Sequence, residues 1–236
     1  MSQYEKAWQA ARRRVDEAVA RAGRPAGSVR LLAVAKTFPA TAVRAVYALG
    51  QRAFGENYVQ EAVGKRDALR DLVDVEWHLI GPLQSNKTAV AAENFDWIET
   101  VDRLKVAQRL SAQRSADAPL LELCVQVNAS GEASKGGVTP EEALALARAV
   151  AALPRLRLRG VMGIPAPTTD AAQQRREFGV LRACFDAMRA DGLAVDTLSM
   201  GMSADLDVAI AEGATQVRIG TAIFGERNLN VVNGGI

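Results

Sequence analysis

Residues 31–39 read LLAVAKTFP, so an unbroken apolar run ends directly on Lys36. Such a run is the pattern of a strand buried on both faces. A primary amine at its end either snorkels to water or is held near a pocket, where desolvation frees it to attack a carbonyl. Two later stretches supply the complement. SMGMS contains Ser199, Met202 and Ser203, and RIGT contains Arg218, Gly220 and Thr221. Glycine lets the backbone approach a ligand closely, and the hydroxyls donate hydrogen bonds, so both stretches suit an anion such as phosphate. The simpler reading makes Gly201 and Gly220 turn glycines and Ser203 a helix cap. Taken with Lys36, the two stretches point to a phosphorylated aldehyde as the partner of the amine.

These residues need elements that bring them together. The spacing predicts strands at about 29–36, 52–57, 75–80, 96–100, 120–128, 156–163, 197–200 and 216–220. Nearly every one is followed by a helical pattern, which argues for a parallel sheet. The stretch 139–153 is the clearest, with Thr139 as N-cap, Pro140 in first position and Glu142 completing a capping box. Ser85 and Ser203 are expected to open two further helices, the second closed by Gly213. Before the first strand, Trp8, Ala11, Val15, Ala18 and Val19 recur at helical spacing, and Gly23 and Pro25 end that helix. Eight strand–helix units account for the chain, which favours a closed (βα)8 barrel of the TIM type. It is expected to form a single domain over 1–236, with an extra N-terminal helix at 1–24 and the barrel at 29–227. An open doubly wound sheet is the competitor, but no Gly-x-Gly-x-x-Gly follows the first strand. In a barrel, functional groups gather at the C-terminal strand ends, and Lys36, Asn57, Ser199, Met202, Ser203, Arg218, Gly220 and Thr221 all fall there.

Bulk properties narrow the class. Of the 236 residues, 29 are basic and 27 acidic, a balance that predicts neither a nucleic-acid nor a membrane partner. The N-terminus carries charges through any would-be apolar core and is not a signal peptide, and no stretch approaches a membrane span. A cytoplasmic location is expected. Cys124 and Cys184 read as buried free thiols, and the single histidine, His78, rules out a histidine-rich metal site.

Ordered along the chain, LLAVAKTFP, FGENYVQE, WHLIGPLQSNK, VDR, QVN with SKGG, RGVMGIP, LSMGMSADLDVAI and VRIGTAIFGER resemble the pyridoxal phosphate homeostasis protein family over roughly residues 30–227. The resemblance implies a fold-type III barrel similar to the N-terminal domain of alanine racemase. It implies pyridoxal 5'-phosphate (PLP) held as an internal aldimine on Lys36, with phosphate contacts at Ser199, Met202, Ser203, Gly220 and Thr221. Asn57 then lies at the cofactor rim and Arg218 beside the ring nitrogen. PLP-dependent enzymes commonly place an Asp or Arg there, and an arginine weakens the cofactor as an electron sink. His78, Gln84 and Asn86 lie in a block whose role the residues do not define. The chain departs from the family at Ala35, Phe38 and Glu99-Thr100, which bears on the polarity of the rim.

Three activities share this lysine: cofactor handling, amino-acid chemistry such as racemisation, and a cofactor-free Schiff-base aldolase. Racemisation needs acid/base groups on both faces of the substrate carbon. In alanine racemases the second face is served by a tyrosine of a C-terminal domain from the partner subunit. Here Tyr4, Tyr47 and Tyr58 all lie early in the chain. The aldolase leaves Arg218 without a task. Cofactor handling without a dedicated second base is therefore expected. The partners would be PLP and PLP-dependent apoenzymes, and the state a monomer.

Overall fold

The apolar run before Lys36 forms β1 (Arg30–Val34), in which Leu31, Leu32, Ala33 and Val34 are all buried. The computed structural model describes residues 2–132 and 135–226. After the N-terminal helix α1 (Gln3–Arg21) and β1 come α2 (Ala40–Tyr47), β2 (Ala53–Glu56), α3 (Val59–Ala68), β3 (Glu76–Leu79), α4 (Thr88–Asn94), β4 (Trp97–Val101) and α5 (Leu104–Gln113). The second half continues with β5 (Leu121–Gln126), α6 (Pro140–Ala151), β6 (Leu156–Met162), α7 (Ala171–Ala190), β7 (Thr197–Met202), α8 (Leu206–Ala211), β8 (Gln216–Ile219) and α9 (Thr221–Phe224).

All eight strands are parallel and follow chain order around a closed barrel. Closure is made where Arg30–Ala33 of β1 pair in register with Gln216–Ile219 of β8. The open doubly wound competitor is thereby excluded. Closure gives each strand two buried faces. Leu32, Val34, Ala53 and Ile80 form one apolar cluster inside the barrel, and Trp97, Cys124 and Met162 another. The main core lies between barrel and helices and includes Phe54, Phe95, Leu110 and Phe178.

The capping box at Thr139 and Glu142 is present, with the Thr139 N–H donating to Glu142 Oε2 at 3.1 Å. Two helix starts differ from expectation. Ser85 lies in a short 3-10 turn (Ser85–Lys87), and α4 begins at Thr88, whose hydroxyl donates to the Ser85 carbonyl at 2.9 Å. Ser203 lies in the turn before α8, whose N-cap position is Asp205. The reason is tertiary: Arg14 of α1 donates to the Ser203 carbonyl at 2.6 Å, and Asp205 closes the turn by accepting from the Met202 N–H at 2.6 Å.

The N-terminal helix has a structural place in the outer ring. Ala11, Val15, Ala18 and Val19 are buried as the spacing required. The helix packs against α2, α8 and α9. Helix α9 is only 4 residues long, too short to cover the seam between β8 and β1, and α1 fills that gap. Arg14 and Arg21 bind the Asp207 carboxylate at 2.8 and 2.5 Å, and Arg24 caps the carbonyls of Ile210 and Ala214.

Candidate functional site

The C-terminal strand ends surround a cavity of about 330 Å³. Lys36 reaches it from the turn after β1, Asn57 from the end of β2, Met202 and Ser203 from β7 and its loop, and Arg218, Gly220 and Thr221 from β8 and α9. The apolar walls are Val34, Ile80 and Ile164. Seven of the eight residues singled out from the sequence therefore line one cavity.

Ser199 is the exception. It lies fully buried one layer below, on the barrel axis side of β7. Its hydroxyl donates to Glu99 Oε2 at 2.6 Å and accepts from Arg218 Nη1 at 2.8 Å. Arg218, only 3% exposed, also donates through Nη2 to the Gly163 carbonyl at 2.8 Å. Burial lowers the Arg218 pKa, while the charges of Glu99 and Asp205 push it back up. Ser199 thus acts on the cavity through Arg218.

Glu99, read from the sequence as a departure that bears on rim polarity, is fully buried at the centre of the barrel. It accepts from His78 Nδ1 at 2.7 Å, Ser199 Oγ at 2.6 Å and Gln216 Nε2 at 2.8 Å. Burial pushes its carboxyl up, but the hydrogen bond and charge of His78, the charge of Arg218 and the Ser199 hydroxyl bring it below the ordinary value. The carboxylate acceptor fixes the proton of His78 on Nδ1, and the imidazole stacks on Trp97 with centroids 4.9 Å apart. His78 is therefore an interior support. Gln84 and Asn86 are exposed at the 3-10 turn and away from the cavity.

The loop after β7 is preset by its neighbours. Because a trans peptide opposes its C=O and N–H, holding the Ser203 carbonyl on Arg14 turns the Ala204 N–H away from α1. Ala204 lines the cavity. Asp205 and Asp207 would repel an anion here, but Asp205 is engaged with the Met202 N–H and Asp207 with two arginines. Gly201, with φ 91°, lets the chain turn out of β7; a Cβ there would stand 2.5 Å from that of Ala209. At Gly81 the backbone passes so close to Asn57 that a Cβ would lie 2.2 Å from its carbonyl oxygen.

The donor set matches a phosphorylated aldehyde. An amine, a guanidinium, two hydroxyls and loop amides converge on one cavity. Asn57 Oδ1 is buried with no hydrogen-bond partner among the described residues, an acceptor of the kind a ligand donor satisfies. No group of three or more His, Cys, Asp or Glu placed to hold a metal ion occurs among the described residues. Among them, no helix is long and apolar enough to cross a membrane.

Comparison with known proteins places this geometry. The family model for the alanine racemase N-terminal domain matches residues 8–228. The fold is shared with alanine racemase from Clostridium difficile at a TM-score of 0.73 and 13% identity, over 93% of this chain and 57% of that one. PipY of Synechococcus elongatus, solved with PLP bound, is 40% identical with a TM-score of 0.78, over 89% of this chain and 100% of that one. The pyridoxal phosphate homeostasis protein of Pseudomonas aeruginosa is 58% identical over 91% of this chain and 92% of its own length. The chain belongs to the pyridoxal phosphate homeostasis protein family.

Proposed function

We propose that this protein binds PLP at the barrel mouth and serves intracellular PLP homeostasis, holding the cofactor covalently through Lys36. The observation that carries the reading is the convergence of Lys36 with Arg218 and the loops after β7 and β8 on one cavity. When bound, the cofactor supplies an electrophilic aldehyde for a lysine amine. Lys36 would offer that amine, and Ser203, Thr221 and the backbone at Met202, Ala204 and Gly220 would receive the phosphate. Asn57, whose Oδ1 has no hydrogen-bond partner among the described residues, would lie at the cofactor rim. Arg218, already a donor to Ser199 and Gly163, would offer its remaining N–H groups to the ring nitrogen, and a guanidinium there would disfavour protonation of that nitrogen. Ser199 serves by holding Arg218.

Handling, rather than turnover, is supported by the walls. Among the described residues, those lining the cavity include no tyrosine, histidine or carboxylate to act on a substrate face opposite Lys36. Release to PLP-dependent apoenzymes, a monomeric state and a cytoplasmic setting complete the proposal.

The test is a visible spectrum of the full chain with added PLP before and after borohydride reduction, with peptide mapping. A visible imine band trapped as a phosphopyridoxyl adduct on Lys36, and absent in Lys36→Ala, supports the reading. Labelling confined to exposed lysines overturns it. Turnover of L- or D-amino acids that vanishes in Lys36→Ala would favour amino-acid chemistry instead.

A further inference from the structure

Lys36 itself sits in a turn whose two flanking peptides are held by charged side chains of α3, Lys65 buried and Glu61 partly exposed. On its N-terminal side, the Ala35 carbonyl accepts from Lys65 Nζ at 2.7 Å. On its C-terminal side, the Thr37 N–H donates to Glu61 Oε1 at 2.5 Å. The two grips are one assembly, because Lys65 Nζ also donates to Glu61 Oε1 at 2.7 Å and to Glu56 Oε1 at 2.6 Å. Lys65 is 6% exposed and Glu56 fully buried, so the Lys65–Glu56 pair is not a surface ion pair screened by water, while Glu61 is partly exposed.

The backbone inside the grip is unusual. Thr37 has φ 69°, in the left-handed region that β-branched residues avoid. A conformation of that kind persists only where its surroundings impose it, and the bond from its own N–H to Glu61 is such an imposition. Next to it, Phe38 stacks on Phe224 at 5.2 Å between centroids. The cluster itself stands on the helix side of the sheet: Phe54 and Glu56 alternate with Gly55, whose Cα side faces Leu32 and Ile80 inside the barrel. The charges thus hold the turn from behind while the Lys36 side chain lines the mouth.

We infer that Glu61 and Lys65 of α3 are positioning residues for Lys36, clamping the peptides on either side of it so that its amine is presented to the cavity. The inference rests on Lys36 being the cofactor-binding lysine. The charged and titratable groups around it are Glu56 from β2, Glu61 and Lys65 from α3, and Lys36 itself. Glu56 retains a buried Oε2 with no hydrogen-bond partner among the described residues, and burial pushes its carboxyl up to about 7 against the pull of Lys65.

The experiment compares Glu61→Ala, which removes the acceptor for Thr37, with Glu61→Gln, which keeps an oxygen there but loses the charge. Two readouts are taken on the full-length chain. One is the rate of covalent PLP capture at Lys36, trapped by borohydride. The other is the pH profile of Lys36 reductive methylation without cofactor, followed by peptide mass mapping. Circular dichroism and urea midpoints establish that each variant is folded. The clamp requires capture by Glu61→Ala to fall at least about tenfold and its methylation profile to be displaced. Glu61→Gln is then expected within about threefold of wild type, with a profile nearer wild type than that of Glu61→Ala. Wild-type values in folded Glu61→Ala, or equal effects of the two substitutions, overturn the inference. Should Glu61→Ala not fold, Lys65→Met takes its place. Lys65→Met must then lower capture at least about tenfold, and combining it with Thr37→Gly, which adopts the left-handed turn at no cost, must recover part of that loss if backbone geometry is what the clamp supplies. If wild type captures no PLP at Lys36, the cofactor reading fails, while the methylation profiles still decide the clamp.

Discussion

Two buried charge clusters flank the barrel mouth, one inside the barrel and one between the sheet and α3, and they treat their carboxylates in opposite ways. Inside, Glu99 receives hydrogen bonds from His78, Ser199 and Gln216 and feels the charge of Arg218, and its carboxyl sits below its ordinary value. In the outer layer, Glu56 meets Lys65 through one oxygen only and leaves the other without a partner among the described residues. Its carboxyl is pushed up to about 7. Both side chains are fully buried. Burial alone therefore does not set the charge state; the number of donors aimed at the carboxylate does. The inner cluster is a satisfied polar network that fixes Arg218. The outer one is under-satisfied and titrates near neutral pH.

The strongest way to break this contrast is to remove Lys65, the cation hydrogen-bonded to Glu56. Lys65→Met leaves the buried Glu56 without its cation, beside the partly exposed Glu61, and releases the Ala35 carbonyl. Removing one partner of a buried pair costs about 3–5 kcal/mol, and urea denaturation at pH 8, where Glu56 is charged, is the measurement. A loss under about 1 kcal/mol would show that water reaches the cluster.

The next effect is in the pH dependence of stability. Glu56 has a raised folded-state pKa, so its contribution is fully present below about 4.5, declines as pH rises, and is lost once pH passes about 7. At 1.36 kcal/mol per pH unit, the interval corresponds to about 3 kcal/mol. Glu99, with a lowered value, contributes in the opposite sense: its share is present above its unfolded value and lost only on acidification. Urea midpoints between pH 5 and 8 should therefore fall for wild type and stay level, after subtraction of common changes, in Glu56→Gln. The same slope in both would assign the titration elsewhere.

These two clusters also mark where the sequence stops being readable. Lys36 is visible because it interrupts an apolar strand, and Arg218, Gly220 and Thr221 are visible because they end one. Strand ends are local features, and the closed barrel converts them into a shared cavity. Lys65 gives no such sign. In VQEAVGKRDA it reads as one polar residue of a weakly amphipathic helix, and only the packing of α3 on β2 buries it beside Glu56. Glu99 within WIETV looks like rim polarity for the same reason: alternation says which side of a strand a residue occupies, not how deep in a closed barrel that side lies. The sequence puts the start of α8 at Ser203, but Asp205 takes the N-cap position because Arg14 of a remote helix holds the Ser203 carbonyl in the preceding turn.

The smallest effect gives the finest test, because it asks whether the inner cluster works as a unit separate from the outer one. Ser199→Ala deletes the hydroxyl that joins Arg218 to Glu99 but leaves both charges and the Gly163 contact in place. A hydrogen bond to a charged group contributes about 1.5–3 kcal/mol, and retention of the other contacts sets the expected loss near the lower figure. Arg218, less firmly held, should bind PLP about 5–10-fold more weakly, read by spectral titration. The two clusters share no hydrogen-bond partner among the described residues. Combining Ser199→Ala with Glu56→Gln should therefore give additive losses to within about 0.5 kcal/mol, with the pH response of the double variant following Glu56→Gln alone. A larger coupling would mean that Arg218 and the Lys36 turn are held by one network across β1 and β2, and the division between a silent inner cluster and a titrating outer one would have to be redrawn.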